Sequence, residues 1–533
     1  MKLVHAVGAI MSVIAVSATA CVASEKASQG AAMDLQGLPK VGTVDERFQS
    51  YNIEMAAVTG ADFWKPYGSA PAATPAPPGA PAGMGPDLLE YRPPRDLANP
   101  RLRTLAAALG PAYVRVSGTW ANSTYFADTD HPPATPPEGF KGVLTRDQWR
   151  GVVDFANATD ARIVSSFAIS PGTRDADGQW TPEQAQRWLD YTRSVGGEIA
   201  AAEFMNEPNA AAMGGAPEGY DAAAYGRDFQ AFKAFIDKAD PNMTILGPGS
   251  VGEAPTGFGS GTENLGELLG AAGAISSADM LAAAGPGVDG FSYRHYNAGS
   301  QRCASMGLPL TNPGEALSAD FLNRTGETRA YYAGLRDRFE PGKPMWLTEV
   351  ADAACGGNPW AGTFLDSFRY ADQLGLLARE GVQVVMHNTL ESSDYSLLDE
   401  NDLTPKPTYW TALLWHRLMG STVLDPGVPA DNGLRVYAHC QPDTPGGVTL
   451  LAINTDRDHR HTLTLPDQAQ RYTLTADPLD SKTVKLNGTV LELGPGDSLP
   501  ELTGTPTEAG QIDLDPATIT FLTTPGAGHT ACE

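Results

Sequence analysis

Two acidic residues carry the strongest chemical signal in this 533-residue chain. Glu207 lies in EFMNEPN (203–209), between Asn206 and Pro208, and Glu349 lies in KPMWLTEVADAACGG (343–357). Alone, the first stretch would pass for a solvated turn, since Asn and Pro are turn formers. Two carboxylates on strand ends of one barrel have a narrower use. In glycoside cleavage one acid protonates the leaving oxygen while the other attacks the anomeric carbon, and a separation of about 5 to 5.5 Å means retention of configuration.

Such a pair needs a scaffold that brings distant strand ends together. From about residue 50 to 420, short apolar runs alternate with longer amphipathic ones. The strand-like runs are 51–55, 113–116, 162–167, 199–205, 244–246, 288–293, 345–347 and 382–386. Helical patterns lie between them, such as Pro182 to Val195 with Thr181 as its expected cap, and Phe364 to Arg379 with Gly381 behind it. Eight such repeats predict an α/β fold, a (β/α)₈ TIM barrel over residues 49–420, with its active site at the carboxyl ends of the strands. Glu207 is then expected at the end of the fourth strand and Glu349 on the seventh. GPGS (247–250) lacks the Lys and spacing of a phosphate loop and reads as an ordinary barrel turn.

Beyond residue 420 strands continue without helices: LRVYAHC, GVTLLAINT, RHTLTLP, RYTLTA, TVKLNGTVLEL and ATITFLTT. Their turns carry Gly, Pro, Asn and Asp, which predicts a C-terminal antiparallel β-sandwich over 421–533. Residues 21–48 are expected to add a strand to it. The Ala/Pro-rich stretch 68–86 interrupts the barrel as an extended excursion after the first strand.

Residues 1–20 read as an export signal, with Lys2, an apolar span and Ala18-Thr19-Ala20 as a cleavage site. Cys21 follows directly, so a lipid anchor there is the alternative to plain secretion into the periplasm or the medium. Export permits disulfides. With Cys21 set aside, Cys303, Cys355, Cys440 and Cys532 allow three pairings, and their spacing does not choose among them. These cysteines lack zinc-type spacing and the nine His form no cluster, so neither metal nor cofactor is expected. A formal charge of −25 argues against nucleic acid as a partner.

Taken together, Asn206-Glu207-Pro208, Glu349 and the segments GKPMWLTEVADAACGG, FRYADQLGLLAREGVQVVMHN and DYSLLDENDLTPKPTYWTALLWHRLMG resemble glycoside hydrolase family 79, the heparanase and β-glucuronidase family of clan A. DERFQSYNIEM near the start and YAHC to CE at the end resemble it too. The resemblance implies a retaining β-glucuronidase with Glu207 as acid/base, Glu349 as nucleophile and Asn206 on the sugar 2-OH. It also implies Tyr296 beside the nucleophile together with His295, and Gly356, Gly357 and Tyr395 on the substrate carboxylate. Glu54 would contact sugar hydroxyls, with Thr119 and Asn122 as weaker candidates. Cys440–Cys532 would close the sandwich, and with it Cys303–Cys355 would pair beside the nucleophile. The expected partner is a glucuronide or a uronic-acid-containing polysaccharide, met by a monomer. A heparanase-like internal cut in heparan sulfate or hyaluronan is the alternative, and a non-catalytic carbohydrate-binding protein the remote one. Cys355 stands where heparanases tend to have a third Gly, which sets this chain's loop apart.

Overall fold

The protein is described from a computed structural model that covers residues 31–68, 88–254, 274–306, 308–430 and 433–533. The expected leader, Cys21, residues 21–30 and all of the Ala/Pro-rich stretch except Gly68 lie outside the described residues.

Eight parallel strands close into a barrel in chain order. They are β1 (Gln49–Glu54), β2 (Ala112–Ser117), β3 (Ala161–Ser166), β4 (Ile199–Glu203), β5 (Thr244–Ser250), β6 (Gly290–Tyr296), β7 (Met345–Ala351) and β8 (Val382–His387). Side chains alternate between the barrel interior and the helix layer. One interior cluster is apolar: Tyr113, Val164, Ala201, Leu246, Trp346, Val384 and Met386 fill it, with the Tyr113 and Trp346 rings 4.9 Å apart. Two residues further along their strands, Arg115, Glu203 and Thr348 replace that apolar packing with charge and hydroxyl. The barrel is thus plugged below and polar above, which seats the chemistry at the carboxyl ends of the strands.

Two register slips shape that upper layer. Against β6, strand β7 carries one extra residue between Leu347 and Glu349, so Thr348 and Glu349 both reach polar partners of the interior instead of alternating. Against the same strand, β5 carries an extra Gly249 with φ +73°, where a Cβ would lie 2.3 Å from the Arg294 guanidinium. GPGS is therefore the bulged end of a strand and not a turn, and its glycine leaves room for a buried arginine.

Other local expectations are also corrected. β4 ends at Glu203, two residues earlier than its apolar pattern suggests, and Phe204 beyond it packs its ring against Trp180 at 5.5 Å. The helix before it, expected over residues 182–195, begins at Glu183 with Pro182 as its cap residue. Thr181 donates its hydroxyl to the Thr173 carbonyl instead of capping that helix.

The helix Phe364–Arg379 is buried on almost every face because the barrel lies on one side and the sandwich on the other. Gly375 lets the Tyr437 ring approach so closely that a Cβ would sit 2.3 Å from it. Across the same contact Asp372 accepts from the Tyr437 hydroxyl at 2.6 Å and pairs with Arg435 at 3.1 Å. The sandwich has one large sheet, centred on Leu434–Cys440, Val448–Asn454 and Thr518–Thr524, and a smaller one of Ala31–Ala32, His461–Leu465 and Gly510–Leu514. Leu450, Leu463, Ile512 and Leu522 are part of the core between them. The N-terminal segment supplies Lys40–Thr43 to the large sheet and Ala31–Ala32 to the small one. TVKLNGTVLEL is a hairpin and not one strand: Asn487 and Gly488 take φ of +48° and +86°, the mirror-image turn that Asn-Gly favours. Cys440 and Cys532 are bonded across 5.3 Å between Cα atoms, and Cys303 and Cys355 across 6.4 Å.

Candidate active site

A buried ion cluster forms the floor of the site. Glu203, the last residue of β4, accepts from Arg294 on β6 at 2.9 and 2.6 Å and from Arg115 on β2 at 3.2 and 3.1 Å. Ser292 and Thr348 complete its shell at 2.7 and 2.9 Å. Burial alone would raise the Glu203 pKa, but the two guanidiniums outweigh it and hold the carboxyl down to about 2. Because the folded value is depressed, the stability this gives is present above the ordinary carboxylate range and is lost as pH falls toward 2. Glu203→Gln is expected to leave two enclosed cations underpaired and to cost about 3–5 kcal/mol at neutral pH, read from the guanidinium unfolding midpoint.

The same arginines reach upward to Glu349 and Asn206. Arg115 Nη1 donates to Glu349 Oε2 at 3.0 Å, and Tyr296 donates its hydroxyl to Glu349 Oε1. Both oxygens of that carboxylate are thereby held in a fixed direction. The Asn206 side-chain carbonyl accepts from Arg115 at 2.7 Å and from Arg294 at 3.0 Å. Its Nδ2 is left without an acceptor among the described residues. Asn206 is held from behind as well: Asn122 accepts from its backbone N–H at 2.8 Å and donates to its carbonyl at 2.9 Å.

Glu207 follows in the left-handed region, with φ 47° and ψ 62°, and Pro208 opens a short 3₁₀ turn behind it. A non-glycine residue in that conformation is strained, and the strain is tolerated because Asn206 before it and Pro208 after it are both locked. Burial first, and then the charge of Glu349, push the Glu207 carboxyl up to about 7. Glu54, at the end of β1, is driven further, to about 8, by burial and then by Glu349 against the opposing pull of Arg115. Its Oε2 has no partner among the described residues and lies against Gly118, where a Cβ would stand only 1.8 Å away. A neutral carboxyl in that position can both donate to and accept from a hydroxyl.

Beyond Glu349 a chain of amides and phenols continues. Asn388 donates to the hydroxyls of Tyr296 at 3.2 Å and Tyr395 at 2.9 Å, and Asn52 donates to the Asn388 carbonyl at 3.2 Å. The Tyr395 proton has no acceptor among the described residues. Gly357 lies against Tyr395, where a Cβ would be 3.1 Å from that side chain. Gly356 and Gly357 take φ of +79° and +91°, and no described residue accepts from either N–H.

The structure therefore brings Glu54, Asn206, Glu207, Tyr296, Glu349, Gly356, Gly357 and Tyr395 to one face. His295 is not among them. It alternates outward from Arg294 and Tyr296, is buried against Thr325 of the helix Ala319–Phe339 at 3.3 Å, and is pushed down to about 3 by burial and then by Arg369. The structure thus puts the imidazole in the helix layer, and not beside Glu349 with Tyr296 as the resemblance implied. Asn122 supports Asn206 instead of meeting a ligand, and Thr119 is only partly exposed in the turn that follows Gly118. Arg115, Arg294, Glu203, Asn52 and Asn388 were not anticipated. A signal existed for two of them: an arginine inside the apolar runs YVRVS and FSYRHY must be paired if it is buried. Among the described residues, no group of three or more His, Cys, Asp or Glu side chains is placed to hold a metal ion.

With this geometry established, comparison with known proteins gives a consistent result. Residues 96–375, more than half the chain, match the sequence family described as the N-terminal domain of glycosyl hydrolase family 79. The chain is similar to heparanase-like protein 1 of Arabidopsis thaliana, with 30% identity over 69% of this chain and 66% of the relative. It is 28% identical to heparanase of Bos taurus over 82% of this chain and 86% of the relative. It is 32% identical to baicalin-β-D-glucuronidase of Scutellaria baicalensis over 41% and 43%. Among solved structures, a 4-O-α-L-rhamnosyl-β-D-glucuronidase from Fusarium oxysporum superposes with a TM-score of 0.59 at 14% identity, covering 92% of this chain and all of that one. At that identity the superposition speaks for the fold alone.

Proposed function

Because this chain belongs to glycosyl hydrolase family 79, we propose that it is a retaining β-glucuronidase in which Glu207 is the acid/base and Glu349 the nucleophile. The observation that carries the assignment is the unequal treatment of the two acids. Arg115 and Tyr296 bind both oxygens of Glu349, while Glu207 is pushed up to about 7. Different environments on paired carboxylates divide the two roles.

In the first step Glu207 gives its proton to the glycosidic oxygen as Glu349 attacks the anomeric carbon, and a covalent glycosyl-enzyme forms. In the second step Glu207, now ionised, takes a proton from water as that water displaces Glu349. Asn206 Nδ2 donates to the 2-OH, where the hydrogen bond strengthens as positive charge develops on the ring. The substrate carboxylate rests on the Gly356 and Gly357 amides and the Tyr395 hydroxyl. Neutral donors hold such an anion without adding charge beside Glu349.

The test compares 4-nitrophenyl β-D-glucuronide with the matching β-D-glucoside. A preference of at least about 100-fold in kcat/KM is expected, because an analogue without the carboxylate leaves those donors unpaired. Equal rates would defeat the uronate reading. Similarity to heparanases over most of the chain favours a second mode, cleavage within a heparan or hyaluronan chain. Oligosaccharide products indicate that mode, and free glucuronic acid indicates release from chain ends. Two disulfides support an oxidising, exported compartment for the protein. Secretion, or a lipid tether at Cys21, belongs to the same proposal and is read from the mass of the mature N-terminus.

A further inference from the structure

The loop Cys355-Gly356-Gly357 after β7 is held by three other loops of the same barrel face. Arg302, in the turn that follows β6, donates from Nη1 to the Cys355 carbonyl at 2.8 Å and pairs with Asp394 from the segment after β8. Its guanidinium also lies 4.2 Å over the ring of Tyr67, which comes from the segment after β1. Next in sequence, Cys303 is bonded to Cys355. Ser393 donates to the Gly356 carbonyl at 2.9 Å, and Tyr67 donates to the Gly357 carbonyl at 3.0 Å.

Every carbonyl of these three residues is thus occupied, and that has a directional consequence. A peptide unit is planar and trans, with its C=O and N–H pointing in opposite directions. Tying the Cys355 carbonyl to Arg302 therefore turns the Gly356 N–H away from Arg302. Tying the Gly356 carbonyl to Ser393 turns the Gly357 N–H away from Ser393. Neither of these amides has an acceptor among the described residues. There is no room to replace the glycine between them: a Cβ on Gly356 would meet Arg302 at 2.4 Å, Trp64 at 2.6 Å and Ser393 at 2.7 Å. Because Asp394 offsets its charge, Arg302 contributes direction more than net field.

We propose that Arg302 and the Cys303–Cys355 bond are a positioning pair that sets selectivity for a uronic acid by fixing the Gly356 and Gly357 amides. The inference rests on the glucuronidase reading above and assigns a device to it. Neither member of the pair has to touch the substrate; both act through the peptide units they hold.

The experiment uses the full chain with Arg302→Gln, Arg302→Lys, the double variant Cys303→Ser/Cys355→Ser, and Cys440→Ser/Cys532→Ser as a control for loss of a remote disulfide. Rates are measured on 4-nitrophenyl β-D-glucuronide and β-D-glucoside. Arg302→Gln and the Cys303/Cys355 variant are expected to lower the glucuronide-to-glucoside ratio of kcat/KM at least about tenfold, through KM for the glucuronide, since two aimed hydrogen bonds to an anion lose their direction. Arg302→Lys keeps a charged donor near the Cys355 carbonyl and should recover part of the ratio. The Cys440/Cys532 variant should lower the melting temperature with the ratio unmoved. An equal fall on both substrates, or an unchanged ratio in Arg302→Gln and Cys303→Ser/Cys355→Ser, overturns the proposal. Wild-type protein without glucuronidase activity overturns the function reading itself, which keeps the two failures apart.

Discussion

Glu349→Gln is expected to abolish turnover, with kcat on an aryl β-glucuronide reduced about 10⁴-fold or more, as follows from removing the attacking atom of a covalent mechanism. The fold should survive the change. Glu349 lies above the ion cluster, and its amide replacement can still accept from Arg115 or Tyr296 through the carbonyl oxygen. Glu203 continues to pair both arginines beneath it. A near-normal melting temperature with no burst of nitrophenol is the combined result that assigns the nucleophile. Residual activity within tenfold of wild type would place the attacking group elsewhere. Glu54 would then be the next acid to examine, since it comes from the neighbouring end of β1 and is electrostatically linked to Glu349.

Glu207→Gln should behave differently, because a general acid matters in proportion to the basicity of the oxygen it protonates. On an alkyl β-glucuronide or a natural glycan, kcat/KM is expected to fall about 10²–10⁴-fold, whereas a nitrophenyl leaving group needs little protonation and loses far less in the first step. The pH profile carries the second half of the prediction. Glu207 must enter the first step protonated and sits at about 7, raised by burial and by Glu349. The kcat/KM of wild type should therefore decline above about pH 7, and that basic limb should vanish in Glu207→Gln. A limb that persists unchanged in the variant would assign the titration to another group, such as Glu54 at about 8. The ratio of alkyl to nitrophenyl substrate is the cleaner readout, since a structural lesion lowers both alike.

Some of this site was readable from residue types. The two acids stood out because each follows an apolar run at the spacing a barrel imposes, and strand ends of a barrel converge wherever they lie in sequence. Gly356-Gly357 and Tyr395 came from likeness to a family, and so did Tyr296. His295 shows where likeness misleads: it lies beside Tyr296 in sequence, but one step along a strand reverses the face, and that step took it into the helix layer. Thr348 and Glu349 show the converse. Simple alternation would have separated them, and an unforeseen extra residue in β7 sends both to the interior.

What the amino-acid sequence determined by itself was the periodicity, and through it the barrel, the sandwich and the placement of two carboxylates at strand ends. Local pattern suffices for these because burial of alternate or every third and fourth side chain is a local requirement. What only the tertiary structure decided was which charges share the interior. Arg115, Glu203 and Arg294 are separated by long stretches of chain, yet they meet within hydrogen-bonding distance and orient Asn206 and Glu349. The clamp of Arg302, Cys303 and Ser393 on the Gly356 loop was decided in the same way. The reason is electrostatic: a buried charge or carbonyl is tolerated only beside its partner, and the barrel's closure, not sequence spacing, determines who that partner is.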